Sequence, residues 1–418
     1  MMRRYQVVRD QTLALIRGLS AEDCCAQSMP EASPTKWHLA HTTWFFETFV
    51  LEKYEKGFTP FNSHFRVLFN SYYESVGPIP SRPDRGLMTR PSLQEILDYR
   101  GHVDERMLVL MTSPMMEEDL ITRIEWGLQH EQQHQELILS DIKHLLFQNP
   151  LRPPYRPGFS NRDAPPHQPP LAQPIEWFEH EGGLAKVGAP SEGFYFDNEA
   201  PRHTVWLEPF KLCHRLVTNQ EFRAFIDDGG YEDPRLWLSE GWAECKKREL
   251  RHPLYWQKVD QQWLEFTLEG NQPLNPIAPV LHVSYFEADA FARWAGYRLS
   301  TEFEWEQIVT REGFGEPEIS AIREDLIPLL PALEKNAGFS GFFRLGWQWT
   351  QSSYAPYPGY RPLEGALGEY NGKFMINQQV LRGGSCATPL THTRVSYRNF
   401  YPAASRWAFS AIRLASSL

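Results

Sequence analysis

The sequence predicts an α+β protein of two domains: a helical bundle over residues 1–147, then a mixed domain over 175–418 with little regular secondary structure. Three observations predict this. Apolar residues recur at helical spacing in four N-terminal stretches. A proline-dense run, QNPLRPPYRPGFSNRDAPPHQPPLAQP (148–174), follows and reads as an extended linker, because proline fixes φ and removes donors. Beyond it Gly, Pro, Trp and Tyr recur, and helical periodicity shrinks to short pieces such as 218–227 and 285–295, as expected of short strands and long loops. The length, 418 residues, also exceeds what one hydrophobic core usually covers.

The helices follow in order. In residues 3–19 the apolar run is broken by Arg9, Asp10 and Arg17, so this stretch reads as an amphipathic helix and not as a secretion signal. Ser33-Pro34 predicts the next start, with Ser as N-cap and Pro at the first helical position. The helix TKWHLAHTTWFFETFVLEKY then runs to about Tyr54. Ser92 and Glu95 form a capping box, and Leu93, Ile96, Leu97, Val103 and Met107 line one face of the helix they open. The last helix covers roughly 117–147. Four such helices suggest an antiparallel bundle. The connection at 55–91 is long for a turn and rich in Tyr, Phe, Arg and Pro, which marks it as a functional loop.

Composition is that of a soluble globular chain, 42% apolar and 22% charged. A net charge of −10 argues against nucleic-acid or anionic-membrane partners. No apolar stretch is long enough to span a membrane. The five cysteines, Cys24, Cys25, Cys213, Cys245 and Cys386, form no C-x-x-C pair, which reads as reduced thiols of a cytoplasmic protein. Aromatics at 14%, with 14 tryptophans, fill cores and also build pockets for flat or cationic ligands.

The chemistry gathers at HEQQHQE (130–136). His130 and His134, four apart, point the same way from a helix. They flank the apolar stripe of Ile124, Leu128, Ile138, Ile142 and Leu145, hence face the bundle interior. Glu136 lies about 200° round from His134 and points elsewhere. In WHLAHTTWFF, His41 shares a face with Trp37, Trp44 and Phe45, so it too faces inward; His38 sits about 60° away and is less central. A lone H-x-x-x-H is more often a hydrogen-bonded polar patch than a site. A third imidazole changes that. Three histidines with open positions suit zinc in hydrolysis or ferrous iron in oxygen chemistry. The letters also fit the H-E-x-x-H of zinc proteases, without that motif's later ligand.

SPTKWHLAHTTWFFETF with HEQQHQE resembles the DinB-like iron domain of the ergothioneine-biosynthesis sulfoxide synthases. GGLAKVGAP, DNEAPRHTVWLEPF, VTNQEFRAFI, PVLHVSYFEADAFARWAGYRLSTEFEWE, GWQWTQSSYAPYPGY and VLRGGSCATP resemble the formylglycine-generating-enzyme-like domain, a lectin-like scaffold. The order of the two is that of the family, and the likeness covers nearly the whole chain outside the linker. It implies Fe(II) held by His41, His130 and His134. Hercynine (trimethylhistidine), a cysteine-type thiol and O2 are the implied substrates, and the product is a sulfoxide with a new C–S bond at imidazole C2. Three histidines leave three octahedral positions for those substrates. The alternative is a zinc-dependent DinB-like thiol transferase or hydrolase.

The resemblance also implies roles for other residues. One branch of the family places a catalytic tyrosine before V-L-R-G-G-S, where this chain has Leu367. The other branch has a tyrosine pair in the helical domain's long loop, matched here by Tyr72 and Tyr73 in LFNSYYESVG, one of which would donate a proton. Tyr370 and Gln133 match substrate-contacting positions. Asn399 and Phe400 match the element that holds the carboxylate and trimethylammonium. Tyr401 stands where the first branch has an Asp that binds a γ-glutamyl group, which favours free cysteine as donor. Arg85, Arg90 and Arg406 are candidates for a substrate carboxylate. With one cysteine, Cys386, near its last motifs, the second domain cannot form a two-cysteine copper site and reads as scaffold and substrate wall.

Overall fold

The computed structural model describes residues 1–113, 117–155, 175–314 and 341–418. Most of the expected proline linker, 156–174, lies outside them. The chain forms two compact units, a helical one of Met1–Arg156 with Glu364–Tyr370, and a sheet-containing one of Pro157–Leu363 with Asn371–Leu418. The α+β expectation therefore holds. A reading in chain order does not anticipate that Glu364–Tyr370 joins the helical unit.

The helical unit contains α1 (Met2–Leu15), α2 (Ala21–Cys25), α3 (Thr35–Phe46), α4 (Glu52–Tyr54), α5 (Phe65–Leu68), α6 (Leu93–Thr112) and α7 (Glu118–Gln148). A π-helical turn, Glu47–Leu51, joins α3 to α4, so the expected helix does reach Tyr54. Its start differs from expectation. Pro34, not Ser33, occupies the N-cap, and no side chain caps the helix. Ser33 Oγ instead accepts from Arg85 Nη1 at 2.9 Å, and its N–H donates to Asp141 of α7 at 2.8 Å. The Ser92–Glu95 capping box forms as expected. α3 packs on both α6 and α7, and α1 packs on α7. The α3–α7 crossing is close because Gly127 has no side chain: a Cβ there would lie 2.5 Å from Phe46.

Charge is buried in this bundle. Glu131, fully enclosed, accepts from Arg9 Nη1 at 2.9 Å, from Thr12 Oγ1 at 2.6 Å and from Arg100. Arg9 also reaches Asp104 at 2.6 Å. This network joins α1, α6 and α7 around one carboxylate.

The second unit holds two four-stranded sheets. One runs in the order Trp177–His180, Phe210–Cys213, Leu414–Ser417, Arg298–Leu299; the other in the order Asn399–Tyr401, Gln379–Arg382, Trp347–Ser353, Ser410–Ala411. A two-stranded ribbon and a three-stranded meander complete it. Helices Asn219–Asp227 and Tyr285–Trp294 match the periodic pieces, and Ser239–Lys247 and Glu302–Arg311 are further ones. Trp305, Ile308, Phe210, Leu212 and Phe342 form the core of its first sheet. None of the five cysteines forms a disulfide. No helix among the described residues is long and apolar enough to cross a membrane.

Candidate metal centre

α3 brings His41 inward and α7 brings His130 and His134, one turn apart. All three are buried, and one nitrogen from each lies within 4.8 Å of the others. The ring centroids are 4.9 Å apart for His41–His130, 4.9 Å for His41–His134 and 4.6 Å for His130–His134. Burial pushes all three imidazoles below their usual pKa, His130 to about 3, and mutual repulsion adds to the effect at His41 and His134. They are therefore neutral at physiological pH and keep lone pairs.

The hydrogen-bond pattern fits a cation. His41 Nδ1 faces the Phe69 carbonyl at 2.7 Å, which makes it the N–H donor and leaves Nε2 bare. That Nε2 has no partner, nor does either nitrogen of His130. Buried imidazole nitrogens without partners are costly, and one divalent ion bound by all three rings would satisfy His41 Nε2 and one nitrogen of His130. The set of three nitrogens and no carboxylate does not by itself select zinc or iron.

Aromatic rings fix the centre. Trp37 stacks on His41 (4.5 Å, 15°), which stacks in turn on Trp44 (5.4 Å, 16°). The Arg85 guanidinium lies over Trp37 at 3.4 Å and donates to Ser33 and Ser71 at 2.9 and 3.1 Å. Arg85 is buried, which lowers its pKa to about 9.

The loop after α5 frames the site. Asn70 accepts from the Tyr73 N–H at 3.1 Å and donates to the Tyr73 carbonyl at 2.9 Å, a local brace of the kind short amide side chains make. Tyr72 and Tyr73 follow, with rings 4.9 Å apart. The Tyr73 side chain is fully buried. Burial pushes both phenols well above their usual pKa of 10. Tyr370 reaches this group from Glu364–Tyr370: its ring is 5.5 Å from Tyr72 and 5.9 Å from His130, and its hydroxyl donates to Gln133 Oε1. Glu369 pins the loop by accepting from the N–H groups of Glu74 (2.9 Å) and Ser75 (3.2 Å).

The structure thus gathers His41, His130, His134, Tyr72, Tyr73, Gln133 and Tyr370 in one unit. Arg90 is exposed. Asn399 and Phe400 lie in the second unit, where Phe400 stacks on Tyr354 at 4.1 Å. The expectation for Arg406 needs correction. It pairs with Glu287 through Nε at 2.9 Å and Nη2 at 2.8 Å, so its guanidinium serves that carboxylate. Glu131 turns instead into the arginine network: burial opposes its ionisation, but Arg100 and Arg9 hold its pKa down at about 2. Sequence reasoning missed the Asn70 brace, Glu369, and the partners of His38 described below.

Residues 4–138 match the DinB superfamily and residues 174–316 the sulfatase-modifying factor enzyme 1-like domain. A "Hercynine oxygenase" of Mycolicibacterium thermoresistibile is 30% identical, over 97% of this chain and 92% of the relative. The chain belongs to the hercynine oxygenase family. Membership makes it an enzyme. A second "Hercynine oxygenase", of Mycolicibacterium smegmatis, is 28% identical over 98% of this chain and 96% of its own. "Ergothioneine biosynthesis protein 1" of Schizosaccharomyces pombe is 29% identical over 53% of this chain and 28% of its own.

Proposed function

We propose that this enzyme is a non-heme Fe(II)-dependent sulfoxide synthase of ergothioneine biosynthesis, which joins a cysteine-type thiol to C2 of hercynine with O2. One oxygen atom enters the sulfoxide. The other leaves as water with the hydrogens lost from the thiol and from C2. The convergence of three neutral, buried imidazoles, two of them with unpartnered nitrogens, carries this reading, and likeness to hercynine oxygenases along the chain supports its substrate. Ferrous iron bound there would supply electrons to O2 and a common centre for the reactants.

The remaining roles fall to the chain's own side chains. Tyr72 and Tyr73, kept protonated by burial, serve as proton donor and its neighbour. Gln133, oriented by the Tyr370 hydroxyl, hydrogen-bonds substrate. Arg85 binds a substrate carboxylate, with exposed Arg90 as the weaker candidate. Asn399 and Phe400 receive the carboxylate and trimethylammonium; the latter has no N–H, so it needs a ring face such as the Phe400–Tyr354 stack offers. Tyr401 favours free cysteine over γ-glutamylcysteine. Five cysteines outside any disulfide suit the reducing cytoplasm.

The test is aerobic incubation of Fe(II)-loaded protein with hercynine and either thiol, read by product mass. A hercynyl cysteine sulfoxide is expected. Zinc at full stoichiometry with turnover that ignores O2 would reject the reading. Phe at the responsible tyrosine should divert turnover from sulfoxide toward cysteine sulfinate, measured as the product ratio. An unchanged sulfoxide yield in both Tyr72→Phe and Tyr73→Phe would reject the assignment.

A further inference from the structure

We infer that His38 and Asp141 are positioning residues that set which nitrogen of His134 faces the metal, an inference that rests on the metal-centre reading above. The observation is a continuous chain of polar atoms between α3 and α7. His38 Nδ1 lies 2.8 Å from His134 Nδ1, and His38 Nε2 lies 3.1 Å from Asp141 Oδ2. His38 and Asp141 are both buried.

The direction of each bond follows from elimination. Asp141 Oδ2 already accepts from the Ser33 N–H, a group that can only donate. A carboxylate oxygen accepts, so His38 Nε2 must carry a hydrogen. In a neutral ring that leaves His38 Nδ1 bare. It faces His134 Nδ1, and two bare nitrogens cannot bond, so His134 Nδ1 carries a hydrogen. His134 Nε2 is then the nitrogen with a free lone pair. One carboxylate thus fixes two tautomers in series.

The three ligands are held by different means. A backbone carbonyl orients His41, the His38–Asp141 chain orients His134, and the nitrogens of His130 have no partner. A hydrogen bond to a ligand's far nitrogen fixes the ring and raises the basicity of the near one. His38 therefore acts on the metal through His134.

Two measurements test this. In the metal-free protein with ¹⁵N-labelled histidine, long-range proton–nitrogen NMR should show His38 with its hydrogen on Nε2 and His134 with its hydrogen on Nδ1. The opposite tautomer at either ring would overturn the inference, and this arm needs neither a variant nor a metal. The second arm measures Co(II) affinity, with the d–d spectrum as readout, for wild type, His38→Leu and His38→Asn. Leu and Asn are nearly the same size, but Asn places an acceptor oxygen near the position of the imidazole Nδ1. His38→Leu should weaken Co(II) binding by about 10–100-fold and change the d–d spectrum; His38→Asn should restore most of both. Equal losses in the two variants, or no loss in His38→Leu, would overturn the role. Wild-type protein that takes up no Co(II) would instead overturn the metal-centre reading beneath it.

Discussion

Replacing His130 with alanine should abolish metal uptake and cripple turnover while leaving the helical unit folded. Of the three imidazoles, His130 has no hydrogen-bond partner on either nitrogen. Its loss removes buried contact area, which costs stability, but it also removes an unsatisfied polar group, which gains about 1–3 kcal/mol. The two effects nearly cancel, so the melting temperature of the metal-free variant should stay within a few degrees of wild type. Wild type should gain stability as Fe(II) or Co(II) is added, because a ligand that binds the folded state alone stabilises it by mass action. The variant should show no such gain. Its turnover should fall by about 10³-fold, equivalent to about 4 kcal/mol of transition-state stabilisation. A His130→Ala protein that still binds one ion per chain would refute the ligand set. His41→Ala should differ, since His41 also holds the Phe69 carbonyl of the tyrosine loop.

Loss of the Glu131 carboxylate should be the most damaging single change to folding that leaves the three imidazoles intact. Arg9 and Arg100 share this carboxylate inside the bundle. Removing it takes the carboxylate partner from buried Arg100 and leaves Arg9 with Asp104 alone, and breaking such a buried pair costs about 3–5 kcal/mol. Urea unfolding of Glu131→Ala at pH 7 measures this. Acid supplies a second test. The folded pKa of about 2 lies below the ordinary 4.5, so the stabilisation is fully present above pH 4.5. It is lost as pH falls from there through about 2, and amounts to about 3 kcal/mol. Wild type should therefore lose stability across that window, and Glu131→Gln should lack this component. Parallel pH profiles for the two proteins would show that the ion pairs contribute nothing.

The sequence carried the convergence of three histidines because i,i+4 spacing fixes direction: His130 and His134 had to share a face, and Trp37, Trp44 and Phe45 placed His41 inward. The same wheel put His38 off-centre, which is correct, yet it could not show that Asp141 lies opposite. Direction is local information; partnership is not. Ser33 shows the same limit, since its side chain suits an N-cap but its hydroxyl accepts from Arg85, 52 residues away. Arg406 read as a candidate carboxylate binder because Glu287, 119 residues earlier, is invisible from its neighbourhood. Helix Glu302–Arg311 was legible in principle, because Thr301 and Glu304 form a capping box. The brace on the tyrosine loop was not, since Glu369 stands 294 residues from Ser75.

Because Tyr370 and Glu369 are encoded far downstream of the helices they serve, the two halves are not interchangeable parts. A chimera spliced at the proline run, helices from one relative and sheets from another, would inherit a foreign helical turn against its own tyrosines. Recombination within such a lineage should succeed only when that seven-residue insert travels with the loop it grips.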